Sequence, residues 1–298
     1  MRFHQAVTFL PVEHQVALAR AADAQGYDGI YISDHMFFPR DRRSRYTYST
    51  AEDGGPGWEA DVDWPDVWCV ISAMAAATSR IRFTTGVYVA PARDLITVAK
   101  AVGTTAVLSG NRVTLGVGVG WCKEEFDATG QDFSTRGRRL DDMIPALRAL
   151  WGGGWVEYHG PHYDLPPLRM EPSPTAPIPI VCGGHSPAAL RRAAVLCDGW
   201  VAAGAYPPEE ARQHLKGLHE ARRRAGREDE PFAIYLSLLA GPDPEMYRSF
   251  AEEFGVTDML SAPGLMAPVD PSDPPDVQLR TRIDASARYA EEVVEKMR

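Results

Sequence analysis

The chain has 298 residues, of which 45% are hydrophobic and 24% are charged, and its formal net charge is −9. This length allows one large α/β barrel or two ordinary domains, and either can bury enough apolar surface to fold without disulfides. The excess of acidic residues argues against a protein that binds nucleic acid or acidic membranes by neutralising phosphates, so an anionic ligand requires a local basic patch.

Short strand patterns and helical patterns alternate along the whole chain. The first strand pattern covers residues 2–9, and a helical pattern follows at 12–25 and ends before Gly26. Seven further units follow, with strands at 30–32, 82–89, 112–119, 178–182, 200–203, 232–239 and 256–261 and helices at 65–77, 94–108, 134–151, 186–196, 207–225, 244–254 and about 277–297. Eight such units predict an α/β fold, a (β/α)8 TIM barrel formed by one domain over residues 1–298; an open doubly wound sheet is the alternative.

Two connections in this pattern are long. Residues 36–64 follow the second strand, and residues 152–177 precede the fifth. We expect insertions of this length to form lids or substrate walls, with variable surface loops as the alternative. By contrast, Asp28, Asp198 and Asp258 lie in helix-to-strand turns, and we predict structural roles for them because barrel active sites lie at the opposite, C-terminal ends of the strands.

Glycines in the fourth and fifth strand regions indicate a ligand with a flat ring and a phosphate. Gly116, Gly118 and Gly120 alternate, so they leave one side of the strand bare, either for a ring or for packing inside the barrel. Gly183 and Gly184 precede His185 at the start of a helix, where backbone N–H groups bind anions. The two regions are neighbours in a barrel, and together they favour a flavin-shaped ligand.

Asp34 and His35 end the second strand at the same face. A histidine beside an acid can be held in one tautomer, so we predict that His35 performs acid–base chemistry with Asp34. Trp64 and Tyr206, with Trp58, Trp68 and Trp121, are candidates for an aromatic substrate pocket, although ordinary packing explains each as well. His159 and His162 are interpreted as a loop pair, and we predict no metal site.

Four arginines, Arg40, Arg42, Arg43 and Arg45, lie in the first long connection. On an acidic protein they can grip an extended anionic tail, and a solvated loop is the alternative. The four scattered cysteines and the absence of a signal peptide lead us to expect a cytoplasmic protein. The longest stretch without Asp, Glu, Lys or Arg, residues 172–190, contains five prolines, so we expect no membrane span.

Residues 108–121, followed by Glu124-Glu125-Phe126 and by residues 136–141, resemble the core of bacterial luciferase-like monooxygenases. Cys182-Gly183-Gly184 and Asp198-Gly199-Trp200 are similar to the second half of that family. Ser33-Asp34-His35 and residues 80–87 resemble the branch that uses the deazaflavin coenzyme F420 rather than FMN.

This resemblance implies a (β/α)8 barrel with hydride transfer at the ring and a non-prolyl cis peptide at Gly86-Val87. It places the cofactor, F420 or alternatively FMN, against Asp34, Gly86, Val87, Gly118, Gly120, Trp121, Gly183, Gly184 and His185. Trp121 stands where some sugar-phosphate dehydrogenases of this branch carry a catalytic acid. Their substrate is therefore not transferred, and Glu124 or Glu125 is a possible substitute.

Three functions follow as hypotheses. The first is an F420-dependent oxidoreductase acting on a small organic substrate, with Trp64, Glu124 and Tyr206 as substrate residues. The second is an FMN-dependent monooxygenase that uses O2 and a partner reductase, and the third is a flavin-binding protein without turnover. The resemblance also raises a homodimer as an expectation.

Overall fold

A computed structural model describes residues 1–49, 52 and 54–298. Eight parallel strands close into a barrel in the order β1-β10-β9-β8-β7-β4-β3-β2. These strands are β1 (Arg2–Ala6), β2 (Gly29–Ile32), β3 (Arg82–Thr85), β4 (Val113–Val117), β7 (Ile180–Gly183), β8 (Gly199–Tyr206), β9 (Ala233–Leu238) and β10 (Asp258–Ser261). The predicted TIM barrel is confirmed, and the open sheet is excluded because β1 pairs with both β2 and β10.

Helices surround the barrel. They are α1 (Val12–Ala24), α2 (Val67–Ala76), α3 (Leu95–Leu108), α4 (Lys123–Ala128), α5 (Arg136–Trp151), α6 (Pro187–Leu196), α7 (Pro208–Arg224), α8 (Pro244–Phe254) and α9 (Pro275–Tyr289). Most match the predicted segments to within a few residues. The short helix α4 was not predicted, because six residues are too few for a helical period to be recognised.

The second long connection holds structure of its own. It contains an antiparallel hairpin of β5 (Trp155–His159) and β6 (Asp164–Arg169). The hairpin packs on α5, where the Tyr158 hydroxyl donates to the Asp142 carboxylate at 2.6 Å. The described lining of the cavity at the C-terminal ends of the barrel strands contains no residue from 152–177. The expectation of a substrate wall is therefore wrong for this insertion.

Aspartates brace the bottom of the barrel, as predicted. The Asp28 carboxylate accepts the Phe3 N–H at 2.9 Å, and that of Asp198 accepts the Ile180 N–H at 2.8 Å. Asp258 is fully buried and contacts His4 Nε2 at 2.6 Å. These contacts join each helix-to-strand turn to a strand and leave the opposite end of the barrel for a ligand. Every helix among the described residues is too short or too polar to cross a bilayer.

Candidate functional site

A cavity of about 590 Å³ opens at the C-terminal ends of the strands. Its size lies within the range of roughly 300–1,000 Å³ that is usual for small-molecule and cofactor sites. The first long connection supplies part of its lining, namely Arg43, Ser44, Arg45, Tyr46, Thr47, Tyr48, Trp58 and Trp64. The expectation that this insertion forms a wall of the site is therefore confirmed.

The floor of the cavity is built on a break in the pairing of β3 with β4. The Gly86-Val87 peptide is cis, as the resemblance implied, and regular pairing gives way to a single bridge at Tyr88. The Gly86 carbonyl accepts hydrogen bonds from the hydroxyl groups of Tyr31 at 2.9 Å and Ser33 at 2.7 Å. These two bonds fix the peptide plane at the floor.

The strand-4 glycines make room for protein atoms rather than for a bare ring surface. A Cβ at Gly116 would lie 1.8 Å from the Thr85 carbonyl oxygen, and one at Gly118 would lie 2.3 Å from the Val87 side chain. A Cβ at Gly183 would also meet Val87, at 2.4 Å. Of the two alternatives that the sequence left open, packing inside the barrel is the one found: Thr85 fills the space at Gly116, and Val87 fills the space at Gly118 and Gly183 and forms the floor.

His35 lies between two side chains that define its tautomer. The indole N–H of Trp121 donates to His35 Nε2 at 3.3 Å, and an indole nitrogen can only donate. The proton therefore lies on Nδ1, which is 3.0 Å from the carboxylate of Glu125. Glu125 is 1% exposed, and the same oxygen accepts the Met36 N–H at 2.7 Å. This arrangement leaves Nε2 as the proton-accepting atom.

Asp34 pairs with Arg93 rather than with His35. Both of its oxygens are bound by the Arg93 guanidinium at 2.8 Å, and one also accepts the Val89 N–H at 3.0 Å. Burial raises the pKa of the Asp34 carboxyl, and the Arg93 charge opposes this rise. The predicted pairing of Asp34 with His35 is therefore wrong. Asp34 lines the cavity and supports the turn at Ala90–Ala92.

Aromatic rings surround His35. Its ring centroid lies 5.2 Å from Trp58, 4.8 Å from Trp64 and 5.5 Å from Trp121. Phe9 packs on Trp58 and Trp64, and Tyr46 packs on Trp58 and Trp121. We call Phe9, Tyr46, Trp58, Trp64 and Trp121 the aromatic wall. The sequence prediction included Trp68 as a candidate, but Trp68 packs on Tyr88 and does not line the cavity.

Glu124 anchors the first long connection instead of facing the cavity. Its carboxylate accepts the backbone N–H groups of Arg43 at 2.6 Å and Ser44 at 3.1 Å. Partial burial acts to raise the pKa of Glu124, but these hydrogen bonds outweigh it and lower the pKa to about 2. The structure thus places this predicted substrate residue outside the lining.

The predicted anion site lies where β7 meets α6. The Ser186 side chain caps α6 by accepting the Ala189 N–H at 3.2 Å, and Gly184 has a positive φ of 107°. Among the described residues, the N–H groups of Gly184, His185 and Ser186 donate to no protein acceptor. Unpaired N–H groups at a helix N-terminus suit a phosphate.

His185 belongs to a second aromatic cluster beside this turn. Its Nδ1 lies 3.1 Å from the hydroxyl of Tyr206, and its ring stacks on His214 at 4.5 Å. Burial and the neighbouring His214 lower the pKa of His185. Tyr206 is 5% exposed and lies behind His185 rather than in the lining, so the structure does not bring this predicted substrate residue to the cavity.

Cationic side chains also line the cavity: Arg43, Arg45, Lys123 and Arg136. Lys123 pairs with Asp127, and Arg136 donates to the carbonyl oxygens of Gly120 and Phe133. The Arg43 guanidinium has no partner among the described residues and is available to a ligand. Arg40 is exposed and does not line the cavity.

The predicted loop pair of His159 and His162 lies on the hairpin, outside the described lining of the cavity. His159 does have acidic neighbours, since its ring contacts Glu157 at 2.8 Å and Asp164 at 2.5 Å. Within the part of the chain that the structure describes, no three His, Cys, Asp or Glu side chains form a group that could hold a metal.

Two residues of the site were missed from the sequence, namely Glu125 as the partner of His35 and Arg93 as the partner of Asp34. Glu125 stood in the recognised Glu-Glu-Phe string, but nothing local distinguished it from Glu124. Arg93 lies at the C-terminal end of the third strand region, which the barrel rule does select. Arg93 and Asp34 are 59 residues apart in the sequence, and nothing in the sequence indicated that they would pair.

Comparison with known proteins identifies the relatives of this chain. The profile of the family described as "Luciferase-like monooxygenase" matches residues 3–267. An uncharacterised protein of Mycobacterium tuberculosis is 35% identical over 297 residues and covers both chains completely. An F420-dependent glucose-6-phosphate dehydrogenase of Nakamurella multipartita is 26% identical and covers 79% of this chain and 65% of its own. The pyrimidine monooxygenase RutA of Enterobacter cloacae is 28% identical, and the match covers 62% of this chain and 52% of RutA.

Two solved structures share the fold over essentially the whole length of both chains. The monooxygenase RslO1 of Streptomyces bottropensis has a TM-score of 0.73 at 17% identity and covers 100% of each chain. The coenzyme F420-dependent tetrahydromethanopterin reductase of Methanopyrus kandleri has a TM-score of 0.70 at 16% identity and covers 100% of this chain and 99% of its own. At these identities the likeness concerns the fold alone.

Proposed function

The chain belongs to the luciferase-like monooxygenase family, and from that premise we propose that it is an oxidoreductase that transfers hydride between coenzyme F420 and a small organic substrate. Its relatives with named activities are oxidoreductases, which supports an enzyme of this class. They include both an F420-dependent dehydrogenase and a monooxygenase, so the choice of cofactor depends on the residues of this cavity.

The residues of the cavity fit a deazaflavin or flavin. The Gly86-Val87 floor, held by Tyr31 and Ser33, offers a surface for a ring. The N–H groups of residues 184–186, which have no acceptor in the described part of the chain, suit the phosphate. When bound, such a ring supplies a carbon that accepts or donates hydride. The chain's own contribution to the chemistry is His35, whose Nε2 can take the balancing proton while Nδ1 stays bonded to Glu125.

The observation that favours F420 over FMN is the guanidinium of Arg43, which has no partner among the described residues and lies at a cavity that Arg45, Lys123 and Arg136 also line. F420 ends in an anionic glutamate tail that FMN lacks. On a protein with a net charge of −9, a local group of cations indicates an anionic ligand at this position. Because Arg43 and Arg45 reach the cavity from the exposed loop, they suit the tail better than the buried ring.

Titration with F420 and with FMN tests this proposal. We expect F420 to bind, and we expect Arg43→Ala to weaken that binding about five-fold, since a charged hydrogen bond contributes on the order of 1 kcal/mol or more. The effect should fall at high salt and vanish for a deazaflavin without its glutamate tail. Arg40→Ala is the matched control, because Arg40 lies in the same loop outside the lining, and it should bind F420 normally.

Tight FMN binding without F420 binding would overturn the cofactor assignment. Oxygen consumption with supplied reduced FMN would then indicate the FMN-dependent monooxygenase, which needs a partner reductase. Absence of turnover with both reduced cofactors would indicate a flavin-binding protein instead.

A further inference from the structure

The chemistry of the aromatic wall restricts what can reach His35. Three indole rings lie within 5.5 Å of the His35 ring, centroid to centroid, and the side chain of His35 is only 11% exposed. A substrate atom that meets Nε2 must therefore pass between apolar ring surfaces. The body of the substrate then lies against the aromatic wall.

Besides the hydroxyl groups of Tyr46, Thr47 and Tyr48, few polar side-chain atoms of the described lining are available to a substrate in this position. Nε2 of His35 already accepts a long hydrogen bond of 3.3 Å from Trp121, which a substrate hydroxyl can replace as the donor; a carbonyl oxygen would accept from Nε2 when that nitrogen carries a proton. The indole N–H of Trp64 is buried without a partner among the described residues. Asp34 is the one carboxylate in the described lining, and both of its oxygens are bound by Arg93. Asparagine and glutamine are absent from that lining.

This inventory disfavours a polyol. Proteins hold neighbouring hydroxyl groups with carboxylates and amides, because these groups provide paired acceptors and donors. A hydroxyl that leaves water without gaining a partner weakens binding by roughly ten-fold. Several such hydroxyls on one sugar ring therefore lower the binding affinity by at least about 100-fold in total. Packing of an aromatic ring on the sugar's carbon face does not offset this loss.

The charges of the cavity also disfavour a cation. An aromatic wall can bind an ammonium group through its ring faces. Here, however, Arg43, Arg45, Lys123 and Arg136 line the same cavity, and the carboxylate of Asp34 is already neutralised. Even with these cations occupied by the tail of the cofactor, a cationic substrate would find no free carboxylate in the described lining to pair with.

We propose that the substrate is an uncharged, largely apolar alcohol or carbonyl compound with a cyclic or branched hydrocarbon body, whose single oxygen meets His35 Nε2. This inference rests on the proposed function, because it assigns the cationic side chains to the tail of the cofactor. The aromatic wall is then the binding surface for the hydrocarbon body. Sugar phosphates, the substrates of one named relative, lie outside this class.

Calorimetric titration of the full chain with three six-membered rings tests the proposal. Cyclohexanol is the matching probe, glucose adds hydroxyl groups, and the cyclohexylammonium ion adds a positive charge. We expect cyclohexanol to bind at least about 100-fold more tightly than glucose and clearly more tightly than the cation. Equal or tighter binding of glucose or of the cation overturns the proposal, as does the absence of cyclohexanol binding up to its solubility.

Variants place the binding at the aromatic wall. Trp64→Ala should weaken cyclohexanol binding by roughly ten-fold, as is usual for a buried aromatic contact. Trp64→Phe should restore most of the affinity and guards against a loss that comes from unfolding. Trp155→Ala is the matched control, because Trp155 is 75% exposed on the hairpin and lines no part of the cavity; its affinity should stay unchanged. Equal losses in Trp155→Ala and Trp64→Ala overturn the assignment.

The titration with the three probes is carried out without cofactor, so the two proposals fail separately. If F420 does not bind but the three probes keep the expected order of affinity, the F420 assignment is wrong and the apolar binding surface is supported. If F420 binds and glucose is preferred, the substrate class falls alone.

Discussion

Replacing Glu125 by glutamine separates the charge of this buried group from its hydrogen bonds. One oxygen of Glu125 accepts both the His35 Nδ1–H at 3.0 Å and the Met36 N–H at 2.7 Å. The amide oxygen of glutamine can take the same place, so both contacts and the tautomer of His35 are kept. The negative charge beside the histidine is removed.

The magnitude follows from the distance. When Nε2 accepts a proton, His35 becomes a cation beside the carboxylate of Glu125. Two unit charges about 4 Å apart attract by about 4 kcal/mol at an effective dielectric constant of about 20. Desolvation of the carboxylate and incomplete charge in the transition state reduce this figure, so we expect a loss of about 1.5–3 kcal/mol. The rate of hydride transfer should then fall roughly ten- to hundred-fold.

Single-turnover measurement of F420 reduction with cyclohexanol as substrate provides the assay. His35→Ala sets the lower limit and should slow the step by about 10²- to 10⁴-fold. Glu124→Gln is the matched control, because Glu124 lies in the same helical turn but binds the loop, and it should keep nearly the wild-type rate. A wild-type rate in Glu125→Gln alongside a slow His35→Ala, or an equal loss in Glu124→Gln, would refute the reasoning.

Two predictions concern stability. Gly86→Ala should lower the unfolding free energy by about 1–3 kcal/mol and weaken cofactor binding, because the new Cβ would lie 1.7 Å from the Tyr31 ring; Gly204→Ala, with no atom within 4 Å, is the control in thermal unfolding. The pKa of Glu124 is lowered from 4.5 to about 2 in the folded chain, so its stabilising effect is present above pH 4.5 and is lost as the pH falls toward 2. The melting temperature of Glu124→Gln should accordingly approach that of the wild type over this range, and parallel curves would contradict this.

The barrel could be predicted from sequence because each strand and helix is a local pattern. Eight apolar runs, each followed by a helical segment, suffice to predict a parallel sheet, and the strand ends then locate the site. The turn at Gly183-Gly184 was found for a similar reason, since it is a property of consecutive residues, whereas the cis peptide at Gly86-Val87 was expected from the family resemblance. The hairpin in residues 152–177 was missed because its second strand contains prolines at 166 and 167 and its two strands pair only with each other.

The side-chain partners in the site could not be predicted, and the strand end that carries His35 shows why. Consecutive residues of an extended chain point to opposite sides. Asp34 and His35 therefore cannot share a direction: Asp34 turns toward Arg93 and the Val89 N–H, and His35 faces the aromatic wall. The acid that orients His35 must come from another segment, and α4 supplies it. Adjacent carboxylates on one helix likewise diverge, so Glu125 reaches His35 while Glu124 reaches the loop. The exchange of the Glu125 carboxylate for an amide is therefore the change that acts on His35 without moving the loop.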